Sequence, residues 1–251
     1  MLSSIQACLD AAPDVDCVGI DNQGESCLAW DSHSKRAITP VIVWQDDRTA
    51  DICGHLKQQG LEPIVRERAG LPLDPYFSAS KLGWILRHVP EARELARLGR
   101  LRLGTTDAFF RDRLADNFAT DPTMASRTSL MNLRTCEWDP ELCRIFGVPM
   151  EALPPIRPTS GYLGRLPNGA PLTASVVDQQ AALFGHGARL SGHAKITFGT
   201  GAFALVLTDG LRNSGTLPPT IAWAENGLEP MYALDGGIYT ASSAVNWARN
   251  L

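Results

Sequence analysis

The sequence predicts an α/β fold, and three observations carry that expectation. Short apolar runs of strand length, at residues 17–20 and 26–30, alternate with segments of helical period. Polar residues collect where such runs end, as in Asp21-Asn22-Gln23-Gly24-Glu25, which is where open α/β sheets place their ligands. Residues 175–187, Ser-Val-Val-Asp-Gln-Gln-Ala-Ala-Leu-Phe-Gly-His-Gly, run from a strand through Asp178 into the opening of a helix.

Taken in order, residues 5–11 read as a helix, with Ile5, Cys8 and Leu9 on one side, followed by strands over 17–20 and 26–30. A third strand is expected over 40–44, ending in Trp44-Gln45-Asp46-Asp47-Arg48. Thr49 is expected to cap a helix carrying Ile52, Cys53 and Leu56 and stopped by Gly60. Around Gly70 the chain turns irregular, with Pro72, Pro75, Tyr76 and Phe77 too apolar for a plain surface loop. The clearest helix covers 81–89, where Leu82, Ile85, Leu86 and Val89 share a face, and Pro90 starts another. Residues 101–103 read as a strand, and Thr105 or Thr106 as the cap of a helix over 108–114. Residues 121–130 are polar without a period, 139–146 form a helix ending at Gly147, and the prolines of 153–158 make a connector. Beyond Asp178, residues 195–208 read as a hairpin, 230–239 as two strands broken at Gly236-Gly237, and 241–251 as a helix with Ala244, Val245 and Ala248 inward.

At 251 residues, 44% hydrophobic and 20% charged, the chain is globular and long enough for one large domain or two ordinary ones. Its 23 basic against 27 acidic residues give a net charge of −4 with no basic run, which argues against a nucleic-acid partner. The N-terminus lacks the build of a signal peptide, and no run of ~18 apolar residues exists to cross a membrane, so a cytoplasmic location is expected. The six cysteines show no C-x-x-C and no histidine at ligand spacing, so no metal site of side chains is expected.

Asp178 has two readings from its local pattern. An aspartate before a helix commonly caps free backbone N–H groups; at a strand end it also stands where catalytic carboxylates do. Gly199-Thr200-Gly201, between two β-rich runs, is either a plain hairpin turn or a turn whose N–H groups receive a phosphate.

Several motifs together decide between these readings. Asn22-Gln23-x-Glu25, Ile42-Val43-Trp44-Gln45, Asp74-Pro75-Tyr76-Phe77-Ser78 and Gly104-Thr105-x-Asp107 follow one another through the first half. Thr120-Asp121, Ala125-Ser126-Arg127-Thr128, residues 178–185 and Lys195-Ile196-Thr197-Phe198-Gly199-Thr200-Gly201 continue the series. In this order and spacing the chain resembles the FGGY family of carbohydrate kinases, and within it the glycerol kinases most of all. The resemblance implies an actin-like, ribonuclease-H-like fold of two α/β domains facing a cleft, here divided as residues 1–188 on the substrate side and 189–251 on the nucleotide side. It implies ATP with Mg²⁺ as phosphoryl donor and a small polyol or sugar as acceptor, with Asp178 as the base that takes the hydroxyl proton. Glu25, Trp44, Tyr76, Gln179 and Phe203 match the positions that hold the polyol, and Gly199, Thr200 and Gly201 match a phosphate loop. Self-association into a homo-oligomer is left open.

Two departures stand out against the family pattern. Where glycerol kinases carry arginine between Asn-Gln and Glu, this sequence has Gly24, which removes a guanidinium and leaves room for a substrate larger than glycerol. The family's opening Asp-x-Gly-Thr hairpin and its adenosine-binding region find no counterpart, so the chain is expected to be a middle portion of a kinase, short at both ends. A kinase fragment is one reading. A remnant that binds a polyol or a partner without transferring phosphate is the alternative.

Overall fold

The computed structural model describes residues 2–12, 14–199, 201–212, 215–238 and 240–249. The chain enters as helix α1 (Leu2–Ala11) and passes through β1 (Val18–Asn22) and β2 (Cys27–Asp31) into four helices, α2 (Ala50–Gln58), α3 (Glu62–Ala69), α4 (Ser78–His88) and α5 (Pro90–Arg97). There follow β3 (Leu101–Thr105), α6 (Thr106–Ala115), α7 (Pro122–Ala125), the small hairpin β4 (Met131–Asn132) and β5 (Glu137–Trp138), and α8 (Pro140–Phe146). The last elements are β6 (Leu172–Val177), α9 (Asp178–Gly185), β7 (Ala194–Phe198), β8 (Ala202–Thr208), β9 (Pro219–Trp223), β10 (Met231–Ile238) and α10 (Ser242–Arg249).

Three arrangements position the site. β1 and β6 are parallel, with Asn22 opposite Val177, so both strands end side by side. β2 and β3 pair antiparallel, Cys27 opposite Thr105 and Asp31 opposite Leu101, and β2 is buried along its whole length. β7, β8, β10 and β9 form a four-stranded antiparallel sheet in that order. The largest core cluster joins Leu71, Leu73, Leu82, Ile85 and Leu103, so the apolar face of α4 read from its spacing does point inward. α8 ends as its sequence predicts, with Gly147 left-handed at φ 69°.

Several elements differ from their sequence reading. Residues 40–44 are not a strand: Ile42 makes a single bridge to Cys27, and the carbonyls of Val43 and Trp44 turn to the ammonium of Lys81 instead of to a neighbouring strand. Thr49 precedes α2 but does not cap it; its hydroxyl hydrogen-bonds Ser80 at 2.7 Å. Thr105 likewise makes no cap to α6, donating its hydroxyl to Asp107 at 2.6 Å. A helix, α3, fills residues 62–69, and left-handed Gly70 closes it. β10 continues through Gly236 and Gly237 as one strand, because both keep their rungs opposite Ala204 and Phe203 on β8. β9, hidden by its opening prolines, pairs with β10. In α10, Ala244, Val245 and Ala248 are exposed, because no described residue packs over that stripe.

The polar stretch without a period turns out to be a buried hub. Asp121 caps α7 by accepting from the N–H groups of Thr123 and Met124, and its carboxylate also takes the Thr159 hydroxyl at 2.8 Å. The Thr123 hydroxyl oxygen accepts the N–H of Val177 at 3.0 Å, and Ser126 meets Thr220 on β9 at 3.0 Å. The hub thus binds β6 and the four-stranded sheet to one short helix, and Arg127 follows directly after it. Among the described residues no helix is long and apolar enough to cross a membrane.

Candidate active site

Parallel strands ending together leave their following loops on one side of the sheet. Here that puts Gln23, Gly24 and Glu25 after β1 next to Asp178 and Gln179 after β6, and these five line a cleft of ≈ 210 Å³. Trp44, Tyr76 and Arg127 form more of its wall, and Thr197, Gly199, Gly201, Phe203 and Asp235 close it from the four-stranded sheet. Asp178, Glu25, Trp44, Tyr76, Gln179, Phe203, Gly199 and Gly201, all singled out in the sequence, therefore share one cleft. Thr200 lies outside the described residues.

Each side chain is held by a local cause. Glu25 has a left-handed backbone, φ 59°, a conformation disfavoured for a residue with a Cβ and frequent where function requires a fixed aim. Its carbonyl accepts the Ser78 hydroxyl at 2.8 Å, which anchors the turn to the start of α4. Trp44 and Tyr76 are set by buried Lys81, whose Nζ donates to the carbonyls of Val43 at 2.9 Å, Trp44 at 3.2 Å and Tyr76 at 3.1 Å. Trp44 then meets Tyr76 edge-on at 5.5 Å and Phe203 at 6.2 Å, a three-ring wall suited to the carbon face of a hydroxylated ligand. Lys195 donates to the backbone carbonyl of Gln179 at 3.1 Å and to its side-chain oxygen at 2.7 Å, turning the amide NH₂ free of that contact.

The Asp178 carboxylate accepts the N–H of Gln179 at 2.7 Å and is half-buried at the cleft. Burial pushes its pKa up, and Asp21 adds to that while the Lys195 ammonium opposes it. Glu25 is pushed up by burial too, against the pull of Arg127. Arg127 bonds Glu25 through Nε at 2.6 Å and Asp235 through Nη2 at 2.8 Å. Burial works against the Arg127 charge, but the Asp235 and Glu25 carboxylates outweigh it and raise its pKa.

The turn at Gly199 and Gly201 admits no side chain at its second glycine. A Cβ on Gly201 would stand 2.7 Å from the Ile238 carbonyl oxygen and 2.8 Å from the Phe203 ring. Arg127, Asp235 and Lys195 were missed as site residues by sequence reasoning. Arg127 stands in the Ala-Ser-Arg-Thr motif, but its two carboxylate partners, Glu25 and Asp235, lie far away in sequence on different elements.

A family model described as the N-terminal domain of the FGGY family of carbohydrate kinases matches residues 2–185. The chain belongs to the FGGY family. Glycerol kinase from Thermus brockianus is 46% identical over 244 residues, covering 93% of this chain and 49% of its own length. Glycerol kinase from Bdellovibrio bacteriovorus is 43% identical, again over 93% of this chain and 49% of its own. The crystal structure of Plasmodium falciparum glycerol kinase with ADP superposes with a TM-score of 0.90 at 30% identity, covering 98% of this chain and 51% of that one. Ligand-bound xylulose kinase from Lactobacillus acidophilus, 20% identical, shares the fold at a TM-score of 0.83 over 98% of this chain and 52% of that one. The actin-like α/β architecture is thus common to FGGY members that carry different names. The chain spans about half the length of the curated relatives it matches. At Gly24 the cleft has room: among the described residues a Cβ there would meet only Val177, at 3.4 Å.

Proposed function

We propose that this chain carries the acceptor side of an ATP-dependent carbohydrate kinase, with Asp178 as the base that activates a hydroxyl of a polyol or sugar. The observation that carries the reading is the convergence on one cleft of Asp178, two hydroxyl-binding groups (Glu25 and Gln179) and three rings (Trp44, Tyr76 and Phe203). In this reading the acceptor lies on the rings with its hydroxyls toward Glu25 and Gln179. Asp178 takes the proton of the reacting hydroxyl as its oxygen bonds to the γ-phosphorus and the bond to the ADP oxygen breaks. Phosphoryl transfer of this kind asks mainly for positioning, and a carboxylate whose pKa burial has raised is a better proton acceptor than an ordinary one.

ATP is the second substrate of that reaction, and residues 189–251 form its side of the division proposed at 188. The glycines flanking Thr200 fit a phosphate edge, since at Gly201 there is room for backbone and none for a side chain. Mg²⁺ in such a reaction would be held largely by the nucleotide's phosphates and water.

The test is paired. Binding of glycerol, erythritol, ribulose and xylulose is measured by calorimetry, and ATP-dependent phosphorylation of each by product formation. Asp178→Asn is expected to keep acceptor binding within a few-fold while transfer falls by about 10²–10⁴. Transfer surviving in Asp178→Asn would remove the assigned base, and acceptor binding without any transfer by the unaltered chain would leave a binding remnant. With Gly24 leaving the cleft open, the larger acceptors are expected to have the higher kcat/KM; a clear preference for glycerol refutes that part.

A further inference from the structure

Arg127 joins the two walls of the cleft by ion pairs. Its Nε bonds Glu25, in the turn after β1, and its Nη2 bonds Asp235 on β10, at 2.6 and 2.8 Å. The guanidinium stands 5.3 Å from the Phe77 ring centre and 5.9 Å from that of Tyr76, and its side chain is only 6% exposed. Among the described residues its Nη1 has no hydrogen-bond partner. We propose that Arg127 is the positioning residue of this cleft, which keeps the Glu25 carboxylate ionised and aimed at the acceptor and fixes it relative to the β10 wall. The proposal rests on the reading of the cleft as an acceptor site.

The physical argument begins with burial. A carboxylate enclosed as Glu25 is holds its charge only if a cation compensates for lost water. The charged groups facing it are Arg127, Lys81, Asp235 and Asp178; among the described residues Arg127 is the cation that bonds it directly, while the Lys81 ammonium is spent on backbone carbonyls and two carboxylates work against ionisation. A single Arg127 bond also uses only one oxygen of Glu25, leaving the other for a ligand hydroxyl. A guanidinium can make two bonds at separate nitrogens in fixed directions; an ammonium is a single point of charge. Gly24 places no second guanidinium beside the acceptor, so this one serves alone.

The test measures acceptor affinity between pH 5 and 9 for the 251-residue chain and for Arg127→Gln, Arg127→Lys, Glu25→Gln and the Glu25→Gln/Arg127→Gln double variant. The probe is whichever of glycerol, erythritol, ribulose and xylulose binds the unaltered chain best. Arg127→Gln is expected to weaken binding at pH 7 about tenfold or more, the scale of a hydrogen bond to a charged group. Its affinity should recover as pH rises, because Glu25 without its cation ionises only at higher pH. Arg127→Lys, which keeps the charge and should keep the fold, is expected to return the pH midpoint toward that of the unaltered chain while leaving affinity reduced. The double variant should bind no worse than Glu25→Gln and show no midpoint. A loss that is equal at every pH, wild-type affinity in either Arg127 variant, or a double variant far weaker than Glu25→Gln overturns the proposal. If the unaltered chain binds none of the four compounds, the acceptor-site reading itself fails; if it binds and Arg127→Lys is indistinguishable from it, only the role of Arg127 falls.

Discussion

The three donors of Lys81 end on the carbonyls of Val43, Trp44 and Tyr76, and among the described residues no carboxylate bonds it. Burial lowers its pKa, so the position is costly for an ammonium and is retained by the hydrogen bonds it makes. Removing the donor group leaves carbonyls in a buried place without a partner, at about 1–3 kcal/mol for an unsatisfied group. Lys81→Met is therefore expected to lower the unfolding free energy by about 3 kcal/mol and to loosen Trp44 and Tyr76 together. Urea unfolding checks the first effect, and tryptophan fluorescence of the folded variant the second. Unchanged stability with an unchanged emission maximum would show that the carbonyls find other donors. The residue scale is also where sequence reasoning saw least. Lys81 reads as the first residue of an amphipathic helix, and nothing in its neighbourhood signals that its partners are carbonyls on two preceding loops. Arg127 and Lys195 share that difficulty, since Glu25 lies 102 residues from Arg127.

At the scale of elements, the β6 to α9 junction was legible because its signal is local: three strand-forming residues, a carboxylate, then helix formers. α7 was not legible, because its four residues show no period and its stability comes from the Asp121 cap and from packing. That cap has a consequence for pH. Burial, and then the neighbouring Asp107 carboxylate, push the Asp121 pKa up to about 6. In the unfolded chain an aspartate titrates near ~3.9. The folded protein therefore keeps a proton between about pH 4 and 6 that the unfolded chain has lost, and stability from this group, full below about pH 4, declines as pH rises through about 6. Asp31 works in the opposite sense, since its bond to Arg100 holds its pKa down and its contribution is lost only as pH falls below the usual carboxylate range. Asp121→Asn cannot ionise. The difference in urea midpoint between the chain and this variant is expected to shift in the variant's favour from pH 4 to pH 7; a difference constant across that range would refute the assignment.

Over the whole molecule, the fold class and the cleft were readable because they follow from strand ends and motif order, whereas the uncovered surfaces follow from what lies around each element. The four-stranded sheet is the clearest case. One face of β7 turns Lys195 inward toward α9, while Ile196 and Phe198 point the other way, 61% and 78% exposed. The register extends that outward face across the sheet: Phe198 and Ile238 are both opposite Ala202, and Ile238 is 66% exposed. α10, which follows β10, leaves Val245 and Trp247 exposed as well. A sheet face of this composition is ordinarily packed against another layer, and a large exposed apolar patch on a soluble chain favours association. β7 is moreover an edge strand, with backbone groups free on one side to pair with another strand. The 251-residue chain on its own is therefore expected to bind a hydrophobic dye and to self-associate as concentration rises. Sedimentation velocity across a hundredfold concentration range reads the second effect. Ile196→Lys with Phe198→Lys, both outward on the edge strand, should restore a monomer and reduce dye binding without lowering acceptor affinity, because neither side chain faces the cleft. A chain that stays monomeric and dye-free throughout would mean that this face is covered in solution, and association unchanged in the double variant would place the contact elsewhere.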